Sequence, residues 1–245
     1  MTGMGIQLDQ VRKDYGRTEV LHGVSFSLPL DTGNVFGLIG PNGAGKSTLM
    51  RLISGITTIN GGQLRLDNQD DSHYEKWAQR NSLYIPAGDR GLRNKLTPLE
   101  NLRYFSAIRC VPIRDTQARM LANAKLFDAE SLMNKEFDQM STGQKKKATL
   151  LVAISFDTPM LLLDEPSNGL DMSAQVDLMK LVDSVAKKSQ HTIILSSHDP
   201  VLMSEVTTQY IFVNEGTVIK TVNHSLSEAE LRQMYEQLYQ KAVIR

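Results

Sequence analysis

Gly40, Pro41, Asn42, Gly43, Ala44, Gly45, Lys46 and Ser47 follow the spacing G-x-x-x-x-G-K-[ST]. Glycines in this pattern let the backbone wrap closely, so that its N–H groups converge on phosphate oxygens. Lys46 then supplies a charge for the β- and γ-phosphates. The Ser47 hydroxyl, with Thr48 beside it, suits a Mg²⁺ ion that bridges phosphate oxygens. A second pair of chemical groups, Asp164 and Glu165, closes the apolar run Met160, Leu161, Leu162, Leu163. Acids at such a strand end face the ligand crevice of an α/β sheet. Asp164 suits Mg²⁺ held through its water shell, and Glu165 suits orienting or deprotonating an attacking water. A ligand-free glycine turn and two strand-capping acids are the competing readings of these segments.

The flanking elements are those the chemistry requires. Val35, Phe36, Gly37, Leu38 and Ile39 form a short apolar run that leads into the glycine turn, and Leu49, Leu52 and Ile53 give helical spacing after it, stopped by Gly55. Alternation over residues 5–29 predicts antiparallel strands, and further strands are expected at 63–67 and 82–86. Residues 98–109, 114–127 and 141–156 carry apolar side chains at three- and four-residue intervals, which predicts an inserted helical lobe over about 88–156. Strands at 160–164 and 192–197 flank a helix at 173–188, a parallel β-α-β unit. A hairpin at 209–214 and 217–222 and a helix at 227–241, opened by Ser227 and Glu230, complete the pattern.

The 245 residues show no repeat and no linker-like tract, so one domain spanning 1–245 is expected, with its core at about 1–87 and 157–226. A hydrophobic fraction of 41% and a charged fraction of 22% exclude global disorder. Lys plus Arg (27) balance Asp plus Glu (27), which argues against nucleic acid as the main partner. Cys110 has no cysteine to pair with, and the first residues lack a basic stretch followed by an apolar one, so a cytoplasmic chain is expected. No apolar run approaches the ~20 residues that cross a bilayer.

With these motifs in this order, the chain resembles the ATP-binding subunit of an ABC transporter along nearly its whole length. Ser141, Thr142, Gly143 and Gln144 resemble the family signature, usually Ser-Gly-Gly-Gln, with Thr142 in place of a glycine. The resemblance implies an α/β fold, a P-loop NTPase core with a mixed sheet, an antiparallel β region and a helical subdomain. It implies ATP and Mg²⁺ as ligands and a second copy of the subunit, whose Ser141, Gly143 and Gln144 face the nucleotide held by the first. It also implies transmembrane transporter subunits as partners and a place at the cytoplasmic face of the membrane. Residues 167–171 resemble the loop that crosses the dimer seam. His198 resembles the switch histidine at the γ-phosphate, and Tyr15 the aromatic stacked on adenine. A structural histidine, a packing tyrosine and a plain helix cap at Ser141 are the alternatives.

Where the family usually has a glutamine after the strand at 82–86, this chain has Ala87, followed by Gly88, Asp89 and Arg90. The sensor role is therefore left unassigned. Residues 86–102 resemble some exporter-type subunits, which suggests export without naming a substrate. Lys145, Lys146 and Lys147 are expected on a solvated helix face. The alternative to a transport ATPase is an ATP-gated dimerising regulatory module with little hydrolysis. An ATPase acting on DNA or translation is disfavoured by the neutral charge and the lack of a long coiled-coil insertion.

Overall fold

Two sheets organise the protein in the computed structural model, which describes residues 4–30, 32–67, 73–88, 91–189 and 191–239. The smaller sheet is antiparallel, in the order β2 (Thr18–Pro29), β1 (Gly5–Tyr15), β4 (Gly61–Leu66). Its inner face follows the alternation of Ile6 and Leu8. The register then slips between Leu8 and Val11 around Gln10, whose φ is 47°, and this bulge brings Val11 back to the inside.

The larger sheet runs β5 (Ser82–Ile85), β6 (Met160–Asp164), β7 (Thr192–Ser196), β3 (Val35–Ile39), β8 (Gln209–Asn214), β9 (Thr217–Val222). All neighbours are parallel except β8 and β9, so the sheet is mixed as expected. Every residue of β3, β6 and β7 is buried, which explains why these strands read as unbroken apolar runs. Along β6, Met160 and Leu162 pack with Leu49 and Leu52 of α1 (Lys46–Ile53), whereas Leu161 and Leu163 pack with Leu151 and Val182 on the other side. The registers Leu38↔Ser196, Leu163↔Leu195 and Ile85↔Leu163 bring the carboxyl ends of β3, β5, β6 and β7 to one edge. The glycine turn and the two acids therefore emerge together, at the edge where open α/β sheets bind ligands.

Between β5 and β6 lie α3 (Pro98–Ile108), α4 (Ile113–Leu126) and α5 (Thr142–Ile154), which share a core of Leu102, Met120, Ala124, Phe137 and Leu151. Thr97 and Glu100 cap α3 reciprocally, with Pro98 in its first turn. α6 (Met172–Ser189) joins β6 to β7, and α8 (Glu228–Tyr239) begins at the Ser227 and Glu230 cap, where the Ser227 N–H donates to the Glu230 carboxylate at 2.9 Å. The expected last residues of that helix, 240–241, lie outside the described residues.

Three features differ from the sequence reading. α2 (Tyr74–Asn81) and α7 (Pro200–Val206) were not anticipated. α7 is capped by Asp199, whose carboxylate accepts from the N–H groups of Val201 and Leu202, and its Met203 packs against Gly37. The lysines at 145–147 do not form a solvated face. Lys146 is only 6% exposed, Lys147 pairs with Asp177 of α6 at 2.8 Å, and the Lys145 ammonium lies 5.7 Å from the Phe137 ring centroid. α5 packs against α3 and α4 on one side and α6 on the other, so these lysines meet neighbours. Among the described residues no helix is long and apolar enough to cross a membrane.

Candidate functional site

The glycine turn owes its shape to main-chain geometry. Gly43 and Gly45 have φ of 83° and 98°, values L side chains rarely adopt, and Ala44 N–H closes the turn on Pro41 C=O at 3.2 Å. A Cβ on Gly40 would sit 2.2 Å from the Val213 carbonyl oxygen, so only glycine lets β3 and β8 run this close. From behind, Gly216 N–H donates to Ala44 C=O at 3.1 Å, and Gly216 C=O accepts from His22 N–H at 2.9 Å. The Tyr239 hydroxyl reaches the carbonyls of Ile39 (3.1 Å) and Val213 (3.0 Å), fastening α8 under the stem of the turn.

Lys46 curls back over this loop, donating from Nζ to the carbonyls of Gly40 (2.7 Å) and Pro41 (3.1 Å). Burial lowers its pKa from the usual 10.5, opposed by the neighbouring Glu165 and Asp164 carboxylates. Ser47 is half-buried and Thr48 is buried in the first turn of α1. Tyr15, at the end of β1, is 44% exposed, with the Lys13 ammonium 5.3 Å from its ring centroid.

Asp164 is buried and held by two donors: Ser196 Oγ to Oδ1 at 2.8 Å and Tyr84 Oη to Oδ2 at 2.8 Å. Burial, with the Asp164 carboxylate, pushes the Tyr84 phenol up to about 12, so it stays a donor at neutral pH. Glu165 follows with a φ of 49° that swings its side chain off the strand, while its N–H donates to Ser196 Oγ at 3.0 Å. Both Glu165 carboxylate oxygens are buried and, among the described residues, accept no hydrogen bond. His198 Nε2 lies 3.3 Å from Glu165 Oε1, outside hydrogen-bonding alignment, and 2.9 Å from Asn42 Oδ1. The histidine thus spans the gap between the acid and the glycine turn. Sequence reasoning missed Tyr84 and Ser196. Both were legible in principle, because Tyr84↔Leu162 and Asp164↔Ser196 are in register and side chains two apart on a strand share a face.

These residues fit a nucleotide triphosphate with Mg²⁺. Among the described residues the buried carboxylate has no donor and the neighbouring lysine bonds only to main-chain carbonyls, an incomplete polar cluster that a ligand with acidic oxygens and ordered water would complete. Ser47 and Asp164 offer hard oxygen donors. Among the described residues no cluster of three or more His, Cys, Asp or Glu forms a closed metal cage. Mg²⁺ commonly takes one or two carboxylates and completes its shell with phosphate oxygens and water.

Ser141, Gly143 and Gln144 lie on a different surface. Ser141 Oγ accepts from Gln144 N–H at 3.3 Å and Gln144 Oε1 accepts from Ser141 N–H at 3.2 Å, so both side chains are engaged in the cap of α5. Together with Gly169, Asp171 and Ala174 they line a cavity of about 490 Å³ to which none of residues 40–48 contributes. Within one chain the serine-led helix and the glycine turn are separate. Ala87 is exposed beyond β5, and Asp89 and Arg90 lie outside the described residues.

A family model described as ABC transporter matches residues 21–168. The chain is 27% identical over 220 residues to the ABC transporter ATP-binding protein NatA of Bacillus subtilis, an alignment covering 89% of each chain. It is 30% identical over 215 residues to the sulfate/thiosulfate import ATP-binding protein CysA of Gloeobacter violaceus, covering 88% of this chain but 61% of that longer relative. Among solved structures, cbiO1 from Clostridium perfringens, part of the ABC transporter complex cbiONQ, superposes with a TM-score of 0.78 at 22% identity, over 97% of this chain and 96% of that one. The ATP-binding cassette MJ0796, solved as a dimer in a post-hydrolysis state with ADP and Pi, gives 0.74 at 22% identity over 89% and 98% of the two chains. The likeness covers the α/β core, the antiparallel sheet and the helical insertion alike, and the protein belongs to the ABC transporter family.

Proposed function

We propose that this chain powers a separately encoded membrane transporter by closing and reopening as a head-to-tail pair around ATP. The observation that carries the reading is Glu165. Its buried carboxylate, free of donors among the described residues, stands at the sheet edge that also presents the glycine turn, with His198 between them. Gly40 to Gly45 cradle the phosphates with main-chain N–H groups, and Lys46 exchanges its two carbonyl partners for the β- and γ-phosphates. Ser47 and Asp164 would hold Mg²⁺, whose chemistry would be to neutralise phosphate charge as the terminal group departs. Glu165 takes up a proton from the attacking water, His198 orients that water from the side of Asn42, and Tyr15 offers a face to adenine. Ser141, Gly143 and Gln144 of a second copy complete the γ-phosphate site from the N-terminus of α5, and the loop at 167–171 lies along the seam.

The division into a core at about 1–87 and 157–226, with a helical lobe at about 88–156, lets the lobe carry the motion to the partner. At their junction an apolar groove of about 310 Å³ is lined by Leu83, Pro86, Leu92, Phe105 and Phe156 and flanked by the exposed Ile56 and Ile108. We place the membrane partner there, holding the chain at the cytoplasmic face. The exporter-like reading of 86–102 has no support among the relatives compared, one of which acts in import by name. Direction and cargo belong to the membrane subunits that form the path. Phosphate release that rises when a membrane protein co-purified with this chain is reconstituted with it supports the reading. ATP-dependent dimers with negligible turnover in every assembly would favour the regulatory module instead, a reading motivated by Ala87 and Thr142.

A further inference from the structure

We propose that Tyr84, backed by Arg51, is a positioning residue for the metal end of the nucleotide site, fixing the Asp164 carboxylate. The inference rests on the reading of Asp164 as the metal-side acid and deepens it. Tyr84 stands on β5 in parallel register with Leu162, so its ring projects on the same face as Asp164 two residues later, and its hydroxyl meets Oδ2 at 2.8 Å. With Ser196 on Oδ1, each carboxylate oxygen has one donor and keeps a second lone pair to offer an ion. The plane of the carboxylate is thereby set before any ion arrives. Removing the Tyr84 donor leaves rotation about the last side-chain bond restrained from one oxygen only.

Arg51 supplies the backing. It lies on α1 four residues after Ser47, on the same helix face, and its guanidinium carbon is 6.0 Å from the Tyr84 ring centroid. The Tyr84 hydroxyl in turn favours the charged form of Arg51. Neither Tyr84 nor Arg51 belongs to the glycine turn or to the acid pair.

The test uses Mn²⁺ as a paramagnetic stand-in for Mg²⁺ on the full chain with ATP, read by the electron paramagnetic resonance of the bound ion. Tyr84→Phe, which keeps the ring, is expected to raise the half-saturating Mn²⁺ concentration by roughly tenfold or more, the usual effect of losing an outer-shell partner. ATP binding in EDTA, measured by calorimetry, should change less than about twofold, because the charged phosphate contacts are untouched. Arg51→Met should shift Mn²⁺ affinity in the same direction by less and Arg51→Lys by less still, so the proposal stays testable if Tyr84→Phe misfolds. In an Asp164→Asn background, Tyr84→Phe should add nothing. Wild-type Mn²⁺ affinity in both Tyr84→Phe and Arg51→Met, or an additive loss with Asp164→Asn, overturns the proposal. Failure of the wild-type chain to bind ATP at all would instead overturn the nucleotide reading beneath it.

Discussion

Replacing Glu165 by glutamine separates the chemical role of the side chain from its structural cost. Glu165 is 8% exposed and its carboxylate accepts no hydrogen bond among the described residues, so the folded state carries a desolvation penalty that the unfolded chain does not. Penalties of this kind are about 1–3 kcal/mol. The amide retains part of it, and Lys46 loses a neighbouring charge that favours its protonated form. A net gain of about 1 kcal/mol remains, which raises the melting temperature by about 2–4 °C in a chain of this size. Turnover should move the other way. Loss of a positioned general base costs about 10²–10⁴-fold, whereas ATP affinity should hold or rise because one negative charge near the triphosphate is gone. The assay pairs phosphate release with thermal unfolding of the nucleotide-free protein, and size-exclusion chromatography with ATP should show the dimer accumulating. A variant that hydrolyses ATP within tenfold of wild type refutes the role given to Glu165. One that melts several degrees lower refutes the account of its burial.

Lys46→Ala should weaken ATP binding by about ten- to a hundredfold, from the loss of charge-assisted bonds, as read by calorimetry. The same variant has a pH signature. The folded pKa of Lys46 lies below the usual 10.5, so between the two values the unfolded chain binds more protons and nucleotide-free stability rises with pH. That alkaline rise should flatten in Lys46→Ala urea titrations. Gly216→Ala places a Cβ 2.2 Å from the Val20 carbonyl at a φ of 70°, and should cost about 2–4 kcal/mol along with some ATP affinity. Gly43→Ala, at a φ of 83° with nothing within 4 Å of its Cβ, should cost only about 1–2 kcal/mol in denaturant melts. Lys147→Ala breaks a partly exposed ion pair between α5 and α6 and should cost less than about 1 kcal/mol.

The parts of the fold legible in the sequence are those where local pattern and tertiary demand agree. β3, β6 and β7 are buried on both faces and so spell continuous apolar runs. α3, α5 and α8 open with a hydroxyl residue and a Glu or Gln three places on. α2 is eight residues long with only Tyr74 and Ala78 buried, too short for its periodicity to stand out. α7 did carry a signal, Asp199 before Pro200, hidden by the interest of the adjacent histidine. The lysines after Gln144 look solvent-facing in any window, and only the packing of α6 onto α5 changes that. At the site, the motif residues were legible because main-chain chemistry fixes their spacing. Tyr84, Arg51 and Ser196 act through strand register and helix facing, for which no fixed spacing exists.

Gly216 links parts of the molecule that are far apart in the chain. One residue in the β8–β9 turn grips β2 with its carbonyl and the glycine turn with its amide. The glycine turn is therefore already shaped in the folded protein, and the conformational entropy of shaping it is spent during folding. A loop held from behind also cannot shift alone. Any displacement of the loop would pull on β2 through the same glycine.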